Sequence, residues 1–334
     1  MPILAGYGYN WAMSAFDRSR VPLRLLFLGL PAGISALTLR KLLDEAFDIV
    51  GVLVPASCVP HLLVGKNQSV SLLEPHLSLP VLTGNALEES NTLAIAWSAG
   101  LPVWAVAEFN HLESQPLIEA LEIDVACVAC FTHRIPLSTL LLPRFGFLNI
   151  HPSLLPAYRG PVPRFWQLRD GAATGVTVHY LDEVLDTGDV VAQTRVDLPE
   201  GVSGPEADRL LALSGFDLLR GILFDLSRDI IRRWSQPDGG TYFGYPRTKD
   251  FSLSTGWPAR QAYNFMRGTA DWEQTYSIAV AGTTFWLNHA GSYEDQRQLT
   301  EPYQLDGDHI AVNFFPGVLR GRIVNRTGQI RRSP

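Results

Sequence analysis

A chain of 334 residues is longer than one average domain, and it has the length for two domains with buried cores. Hydrophobic residues make up 46% of it and charged residues 18%, a balance that excludes a disordered chain. The formal net charge of −6 argues against nucleic-acid binding through the overall field, although a local basic patch is compatible with it. Three cysteines provide no disulfide framework and favour a reducing, cytoplasmic compartment.

The first part of the chain shows neither a secretion signal nor a membrane segment. The charged stretch from Asp17 to Arg20 follows a mixed sequence, without a positive start and an apolar signal core. Residues 90–107 carry no charge, but a glycine and a proline interrupt them, and they fall short of the roughly 20 apolar residues of a membrane helix. We expect residues 1–21 to be an N-terminal extension and residues 90–107 to be buried globular structure.

The following segments predict strands that alternate with helices. Residues 23–28 are an apolar run closed by a glycine-bearing turn, residues 34–46 have the spacing of an amphipathic helix, and residues 47–54 are the next apolar run. A second round consists of a strand at 104–107, a helix at 113–121, and strands at 125–131 and 147–150. Strands this continuously apolar are typical of a parallel sheet with helices on both faces. The predicted fold class is therefore α/β, with an N-terminal Rossmann-like, mostly parallel sheet.

The pattern changes after residue 204. Residues 205–234 have apolar residues at helical spacing, and a loop rich in glycine follows at residues 235–240. Beyond it lie a short helix at 258–266 and strand-like segments at 275–281, 283–288, 309–315 and 318–324. We expect a larger first domain at 22–234, a linker at 235–250, and a smaller β-rich, barrel-like domain of OB type at 251–334.

The most informative motif begins at the end of the 147–150 strand. Asn149 and His151 are two residues apart, so their side chains point to the same side of the strand, which Pro152 then ends. Functional residues of such sheets collect at the carboxyl ends of the strands. A second apolar stretch, residues 176–181, leads into a turn-rich segment that can bring Asp186 to the same edge. We therefore expect an amide donor, an acid/base group and a carboxylate to lie together at this edge of the sheet.

The same run closely resembles the signature of the folate-dependent formyltransferase family, which includes methionyl-tRNA, glycinamide ribonucleotide and sugar N-formyltransferases. The family pattern of Asn-x-His, Ser-Leu-Leu-Pro and an Asp in a Leu-Asp-x-Gly turn maps onto Asn149, His151, residues 153–156 and Asp186. The resemblance implies transfer of a formyl group from 10-formyltetrahydrofolate to a primary amine. It also implies that Asn149, His151 and Asp186 are catalytic, and that residues 22–234 are the catalytic domain.

These three side chains suit the chemistry of formyl transfer. The reaction passes through a tetrahedral intermediate whose oxygen gains negative charge, so it needs hydrogen-bond donors and proton traffic. Asn149 can donate an amide N–H, His151 can donate or relay a proton, and Asp186 can orient His151. Taken singly, each also suits a structural role as a cap or turn residue, and the ordered constellation favours catalysis.

For two residues near this motif, the sequence is compatible with two different roles. His179 is either a structural histidine or a residue near the folate, and the pattern does not favour one over the other. Arg159 follows the Ser-Leu-Leu-Pro segment and could meet an anionic acceptor or pair with a surface carboxylate.

The resemblance also places the folate pterin between two loops. The first loop follows the 125–131 strand and the second precedes Asp186, and the residues carried over are Phe131, Thr132, His133, Arg134, Ile135, Asp182 and Glu183. The first loop departs from the sequence that is common in the family and has one residue inserted. His133 and Arg134 are therefore also compatible with a solvated loop.

The sequence predicts no metal site. Cys127 and Cys130 form one CxxC, but no second pair accompanies it and it lies inside an apolar run, which favours core cysteines. Formyl transfer itself requires no metal.

The acceptor amine is left open. The chain length, and residues 241–250 as a linker, resemble the longer members that act on aminoacyl-tRNA. The charge of residues 55–80 argues against this acceptor, because RNA binding needs cations that neutralise phosphates. Lys66 is the one fixed cation of this segment, and Glu74 opposes it. The tail partly offsets this deficit through Arg320, Arg322, Arg326, Arg331 and Arg332. An amino sugar attached to a nucleotide is the second candidate, and hydrolysis of formyltetrahydrofolate, with water in place of the amine, is the third.

Overall fold

The computed structural model describes residues 22–59, 68–75 and 91–324. The extension predicted at residues 1–21, the cation Lys66 and the three tail arginines Arg326, Arg331 and Arg332 lie outside these ranges. Within them, no helix is both long enough and apolar enough to cross a membrane.

An eight-stranded sheet forms the centre of the N-terminal part. Its strands are β1 (Arg24–Gly29), β2 (Asp48–Pro55), β3 (Val70–Leu73), β4 (Val103–Val106), β5 (Val125–Ala129), β6 (Phe147–His151), β7 (Gly175–Tyr180) and β8 (Val190–Arg195). The spatial order is β3-β4-β2-β1-β5-β6-β7-β8. The five strands from β4 to β6 are parallel, whereas β3 and β7 run antiparallel to their neighbours β4 and β6. This topology confirms the predicted mostly parallel α/β sheet.

Helices cover both faces of this sheet. They are α1 (Ile34–Asp44), α2 (Thr92–Ser98), α3 (Ser114–Ala120), α4 (Leu137–Leu140) and α6 (Gly204–Leu226), whereas α5 (Pro163–Asp170) packs against the second sheet described below. On one face, Leu39 of α1 and Leu219 of α6 belong to the same buried apolar cluster. On the other face, Ile118 of α3 and Leu140 of α4 pack with residues of the strands. With both faces covered, the strand ends are left as the place for polar chemistry.

The helix predicted at residues 205–234 is shorter than expected. It ends at Leu226, and Asp229 takes a left-handed conformation with φ of 59°, which stops the helical path. The chain then returns to the sheet, where Trp234 forms an isolated antiparallel bridge with Val190 of β8. Apolar spacing alone overestimated this helix because Ile230 and Trp234 continue the pattern without continuing the structure.

A second sheet forms the C-terminal part. Its strands are β9 (Ser252–Leu253), β10 (Tyr276–Val280), β11 (Thr283–Glu294), β12 (Tyr303–Asp306), β13 (His309–Asn313) and β14 (Val318–Ile323), in the order β12-β13-β14-β11-β10-β9. Helix α7 (Ala259–Gly268) packs on it through Ala262, Phe265 and Met266. The C-terminal part is therefore β-rich, as predicted. The proposed limits of the domains remain a prediction.

The two parts share an apolar seam. Phe165 and Trp166 of α5 are buried in the same cluster as the second sheet, and Phe243 of the linker stacks on Trp166 with ring centroids 4.8 Å apart. Gly160 has a φ of 115°, and a Cβ atom there would lie 1.9 Å from the carbonyl oxygen of Phe243. Glycine is required at this position because the linker backbone passes so close.

Candidate active site

The end of β6 positions the two residues of the Asn-x-His motif. All five residues of this strand are buried, and Asn149 and His151 are 9% and 4% exposed. The strand lies between β5, which is parallel, and β7, which is antiparallel. The register with β7 pairs Asn149 with His179 and His151 with Thr177. Cross-strand pairing therefore brings His179 beside the motif from a segment 30 residues away.

His179 holds the carboxamide of Asn149. The Nδ1–H of His179 donates to the carbonyl oxygen of Tyr180 at 2.8 Å, so its Nε2 carries a lone pair. That Nε2 accepts a hydrogen bond from Nδ2 of Asn149 at 3.1 Å. Burial lowers the pKa of His179 to about 4, and the neighbouring His151 adds to this effect. A neutral His179 thus fixes one N–H of Asn149 and leaves the other for a ligand.

His151 and Asp186 form the second half of the cluster. The Nε2–H of His151 donates to the carbonyl oxygen of Tyr158 at 2.9 Å. Its Nδ1 lies 3.6 Å from Oδ1 of Asp186, and the same oxygen lies 3.7 Å from Nε2 of His179. The structure therefore brings the predicted Asn149, His151 and Asp186 together and adds His179. We call these four residues the polar cluster.

The loop that carries Asp186 is held from both sides. Asp186 adopts a φ of 57°, and its Oδ2 accepts a hydrogen bond from the backbone N–H of Gly160 at 2.8 Å. Its carbonyl oxygen accepts from Nε of Arg159 at 3.1 Å and from Nε2 of Gln236 at 2.8 Å. Arg159 also donates to Oε1 of Gln236 at 2.7 Å. The guanidinium of Arg159 therefore braces the Asp186 loop, and its contact with an anionic acceptor stays a prediction.

The predicted folate loops lie at the rim of the same edge. His133, Arg134, Ile135 and Glu183 line one cavity of about 440 Å³, together with Phe109. The ring of Phe131 packs edge-on against that of Phe109, with centroids 5.9 Å apart. The structure thus places residues of both predicted loops around one space.

Two other predicted folate residues lie outside this cavity. Thr132 is exposed, and its hydroxyl lies 3.4 Å from Nδ1 of His133. Asp182 is exposed and accepts a hydrogen bond from the backbone N–H of Glu183 at 2.7 Å. It lines a second cavity, of about 500 Å³, on the Tyr180 side of the loop.

Three residues of the polar cluster could also hold a metal ion. One ligand atom each from His151, His179 and Asp186 lies within 4.8 Å of the others. No ligand spacing in the sequence indicates this set, because the three residues come from two strands and a loop. The CxxC does not compete for this role, since burial raises the pKa of Cys127 and of Cys130 to about 12 and both thiols are free.

The sequence did contain a signal for His179. In β7 the polar residues Thr177 and His179 alternate with Val176 and Val178, so one face of a buried strand is polar. That face is the one that meets Asn149 and His151. Gln236 gave no comparable signal, because its role depends on how the linker folds back over the Asp186 loop.

An amide donor, an imidazole and a carboxylate that converge at the carboxyl end of a parallel strand are groups that suit an enzyme of the acyl-transfer type. The sequence pattern of the Formyl transferase family matches residues 87–205, which include the whole polar cluster.

Similar proteins agree with this class. Methionyl-tRNA formyltransferase of Acidobacterium capsulatum is 32% identical over 233 residues, which cover 67% of this chain and 74% of that protein. Methionyl-tRNA formyltransferase of Synechococcus sp. (strain JA-3-3Ab) is 30% identical over 249 residues, or 73% and 71% of the two chains. The N-formyltransferase from Helicobacter canadensis, in complex with folinic acid and dTDP-3-aminofucose, superposes with a TM-score of 0.61 at 12% identity over 91% of this chain and 99% of that one.

The chain belongs to the formyltransferase family. It is therefore an enzyme that transfers formyl groups, and its family membership implies a folate co-substrate. The resemblance read from the sequence is confirmed.

Proposed function

We propose that this enzyme transfers the formyl group of 10-formyltetrahydrofolate to a primary amine, and that Asn149, His151 and Asp186 carry the reaction. The observation that supports this proposal best is the convergence of the three side chains at the end of β6, with Oδ1 of Asp186 3.6 Å from Nδ1 of His151. Asn149 and His151 are buried, the side chain of Asp186 is 13% exposed, and all three are fixed by backbone or side-chain hydrogen bonds. Such preorganisation is what stabilises a developing oxyanion.

Each residue has a defined part in this mechanism. The amine nitrogen attacks the formyl carbon, and the electrons of the carbonyl bond move to its oxygen. Asn149 donates its free N–H to that oxygen, because its other N–H is held by His179. His151 exchanges protons through Nδ1, since its Nε2–H is committed to Tyr158. Asp186 accepts the proton that the amine loses and passes it to Nδ1 of His151. His151 then delivers this proton to the folate nitrogen as the carbonyl bond re-forms and the bond between the formyl carbon and that nitrogen breaks.

The folate donor fits the two rim loops in this proposal. Ile135 and Phe109 supply apolar surface to the cavity, while His133, Arg134 and Glu183 supply polar groups. Clefts with mostly apolar walls and a few polar groups are typical of cofactor sites. Phe131, Thr132 and Asp182 belong to the proposal as flanking residues of the same loops. A cytoplasmic location also belongs to it, because the described cysteines are free.

Aminoacyl-tRNA is the first candidate for the acceptor. The relatives that are 30% or more identical over more than two thirds of their length are methionyl-tRNA formyltransferases. The matches of 249 and 251 residues cover 71% of two of these relatives, so their chains have about the same length as this one.

A small amine, of the amino sugar nucleotide class, is the second candidate. Residues 248–324 contain six Lys and Arg against eight Asp and Glu. The last two arginines of the described part also have acidic partners, since Arg320 lies 3.5 Å from Glu294 and Arg322 lies 2.7 Å from Asp308. RNA binding scales with phosphate neutralisation, so the described part of the second domain favours a small acceptor.

One assay decides between these acceptors. The enzyme is incubated with 10-formyltetrahydrofolate and either charged initiator tRNA or a panel of amino sugar nucleotides, over a range of salt concentrations. Formylation of tRNA that weakens steeply with salt would support the first candidate, and salt-tolerant formylation of an amino sugar would support the second. Formate release without any amine would instead identify a hydrolase. The His151→Ala variant serves as the control for background reaction.

A further inference from the structure

In the polar cluster, two imidazole nitrogens that carry lone pairs lie close to the same carboxylate oxygen. His151 gives its Nε2–H to the carbonyl of Tyr158, and His179 gives its Nδ1–H to the carbonyl of Tyr180. A carbonyl oxygen only accepts hydrogen bonds, so each ring has its lone pair on the opposite nitrogen. These two nitrogens, Nδ1 of His151 and Nε2 of His179, lie 3.6 and 3.7 Å from the same Oδ1 of Asp186.

These distances approach those of a zinc site. Ligand atoms at about 2.0–2.1 Å from a tetrahedral Zn²⁺ are about 3.3 Å apart. Two of the three distances here exceed that value by only a few tenths of an ångström, and all three atoms lie within 4.8 Å of one another. Movement of the two imidazole rings toward each other would close the three atoms around an ion.

The surroundings also match a metal site. A histidine that ligates a metal typically donates its other ring N–H to a backbone carbonyl or a carboxylate, which fixes its tautomer and orientation. Both histidines of the cluster do so. The carboxylate is oriented too, because its second oxygen accepts the backbone N–H of Gly160 at 2.8 Å. Two histidines and one carboxylate form a known ligand set for Zn²⁺.

We propose that the polar cluster binds one divalent transition-metal ion, with Zn²⁺ as the best fit, through His151 Nδ1, His179 Nε2 and Asp186 Oδ1. The ion has three protein ligands and an open fourth position. We further infer that the bound ion blocks formyl transfer, an inference that rests on the function proposed above. The ion occupies Nδ1 of His151, which is the atom assigned to proton exchange.

Asn149 competes with the ion for one of these ligands. Its Nδ2 donates into the lone pair of His179 Nε2 at 3.1 Å, the same lone pair that the metal ion takes. Metal binding therefore releases the Asn149 carboxamide from His179, which removes the hydrogen bond that orients it. Conversely, loss of the carboxamide removes a competitor. Asn149→Ala should thus impair transfer and strengthen metal binding, a combination that a merely structural defect does not produce.

The test measures binding of Zn²⁺ and Co²⁺ to the full chain, without folate or amine. We expect one equivalent of Zn²⁺ by equilibrium dialysis and, with Co²⁺, the visible absorption of a four-coordinate site. His179→Gln and Asp186→Asn should each weaken the affinity by more than about 100-fold. Asn149→Ala should bind Zn²⁺ at least as tightly as the unaltered protein. Circular dichroism establishes that each variant is folded.

An exposed histidine provides the matched control. Nδ1 of His309 lies 2.8 Å from Asp308 on the surface of the second domain, and that pair lacks a third metal ligand among the described residues. His309→Gln should leave the Zn²⁺ affinity unchanged. Absence of a bound equivalent, or equal affinity in a folded His179→Gln variant, would overturn the metal site.

The inhibitory part has a separate outcome. Zn²⁺ at saturating concentration should stop formyl transfer, and a chelator should restore it. Full transfer by the metal-saturated enzyme would overturn the inhibition while leaving the metal site in place. If no amine is formylated at all, the proposed function fails, and the dialysis and Co²⁺ spectra still decide whether the site exists.

Discussion

The polar cluster and the surface of the second domain handle charge in opposite ways. In the cluster, Asn149, His151 and His179 are buried, and each is fixed by a hydrogen bond. In the second domain, Arg320 and Arg322 lie on the surface beside acids of neighbouring strands and turns. Buried polar groups cost stability unless they are paired, so the cluster is tied to one geometry. Surface ion pairs contribute little to stability, so this surface can change without altering the geometry of the cluster.

Removal of the His151 imidazole should have the largest effect, and it tests the role of the polar cluster. We expect His151→Ala to reduce formyl transfer by up to about 10,000-fold, because general acid–base catalysis at this site depends on Nδ1. Steady-state rates with 10-formyltetrahydrofolate measure the effect. His309→Gln, a surface histidine of the second domain, should keep the full rate. Comparable losses in both variants would remove the distinction between the two regions.

The amide of Asn149 should have the next largest effect. Asn149→Ala removes the N–H that we assign to the developing oxyanion, and removal of one such donor costs on the order of 100-fold to 1000-fold in rate. The rate constant for transfer should fall while folate affinity is largely retained. A loss below about tenfold would indicate that Asn149 only positions its neighbours.

Gly160→Ala tests the seam between the two regions. The φ of 115° is strained for any residue with a side chain, and the carbonyl oxygen of Phe243 occupies the space of a methyl group. We therefore expect a loss of about 3 kcal/mol in the free energy of unfolding. Urea denaturation measures it. Gly244→Ala is the matched control in the same linker, because a Cβ there meets no atom within 4 Å. Equal stability of the two variants would contradict the close packing described here.

The smallest expected effect concerns pH. The pKa of His179 is lowered from 6.5 to about 4 in the folded protein, so the unfolded chain binds a proton that the folded one excludes. The resulting stability is present above pH 6.5 and is lost as the pH falls toward 4. We expect roughly 2 kcal/mol of this loss between pH 7 and pH 5. His179→Gln should lack it, and identical pH profiles of unfolding for both proteins would speak against a buried neutral His179.

Much of the fold could be read from local pattern. Continuous apolar runs predicted β1, β2, β5 and β6, and period-two segments with glycine turns predicted β10, β11, β13 and β14. Short elements without a clear period, such as α5 and β8, were not predicted. Helix α5 begins soon after the Asn-x-His motif in sequence, but its Phe165 is buried against the second sheet, a contact that no local pattern shows.

The candidate site likewise contains residues that local pattern predicts and residues that it does not. Asn149 and His151 could be predicted because they share one strand and one side of it. Asp186 was placed through the family motif, since a turn of that kind has no period. The role of His179 depends on the antiparallel register of β7 against β6. The role of Arg159 depends on its hydrogen bond to the linker residue Gln236. Both are long-range contacts, which the sequence alone does not specify.

Asp186→Asn gives the most direct test of the central claim, that the buried cluster carries the chemistry. The substitution keeps the size of the side chain and removes the negative charge that faces His151 at 3.6 Å. We predict that formyl transfer falls by more than about 1000-fold, while the Kd for folate changes by less than about threefold. Normal turnover in a folded Asp186→Asn protein would contradict the catalytic assignment.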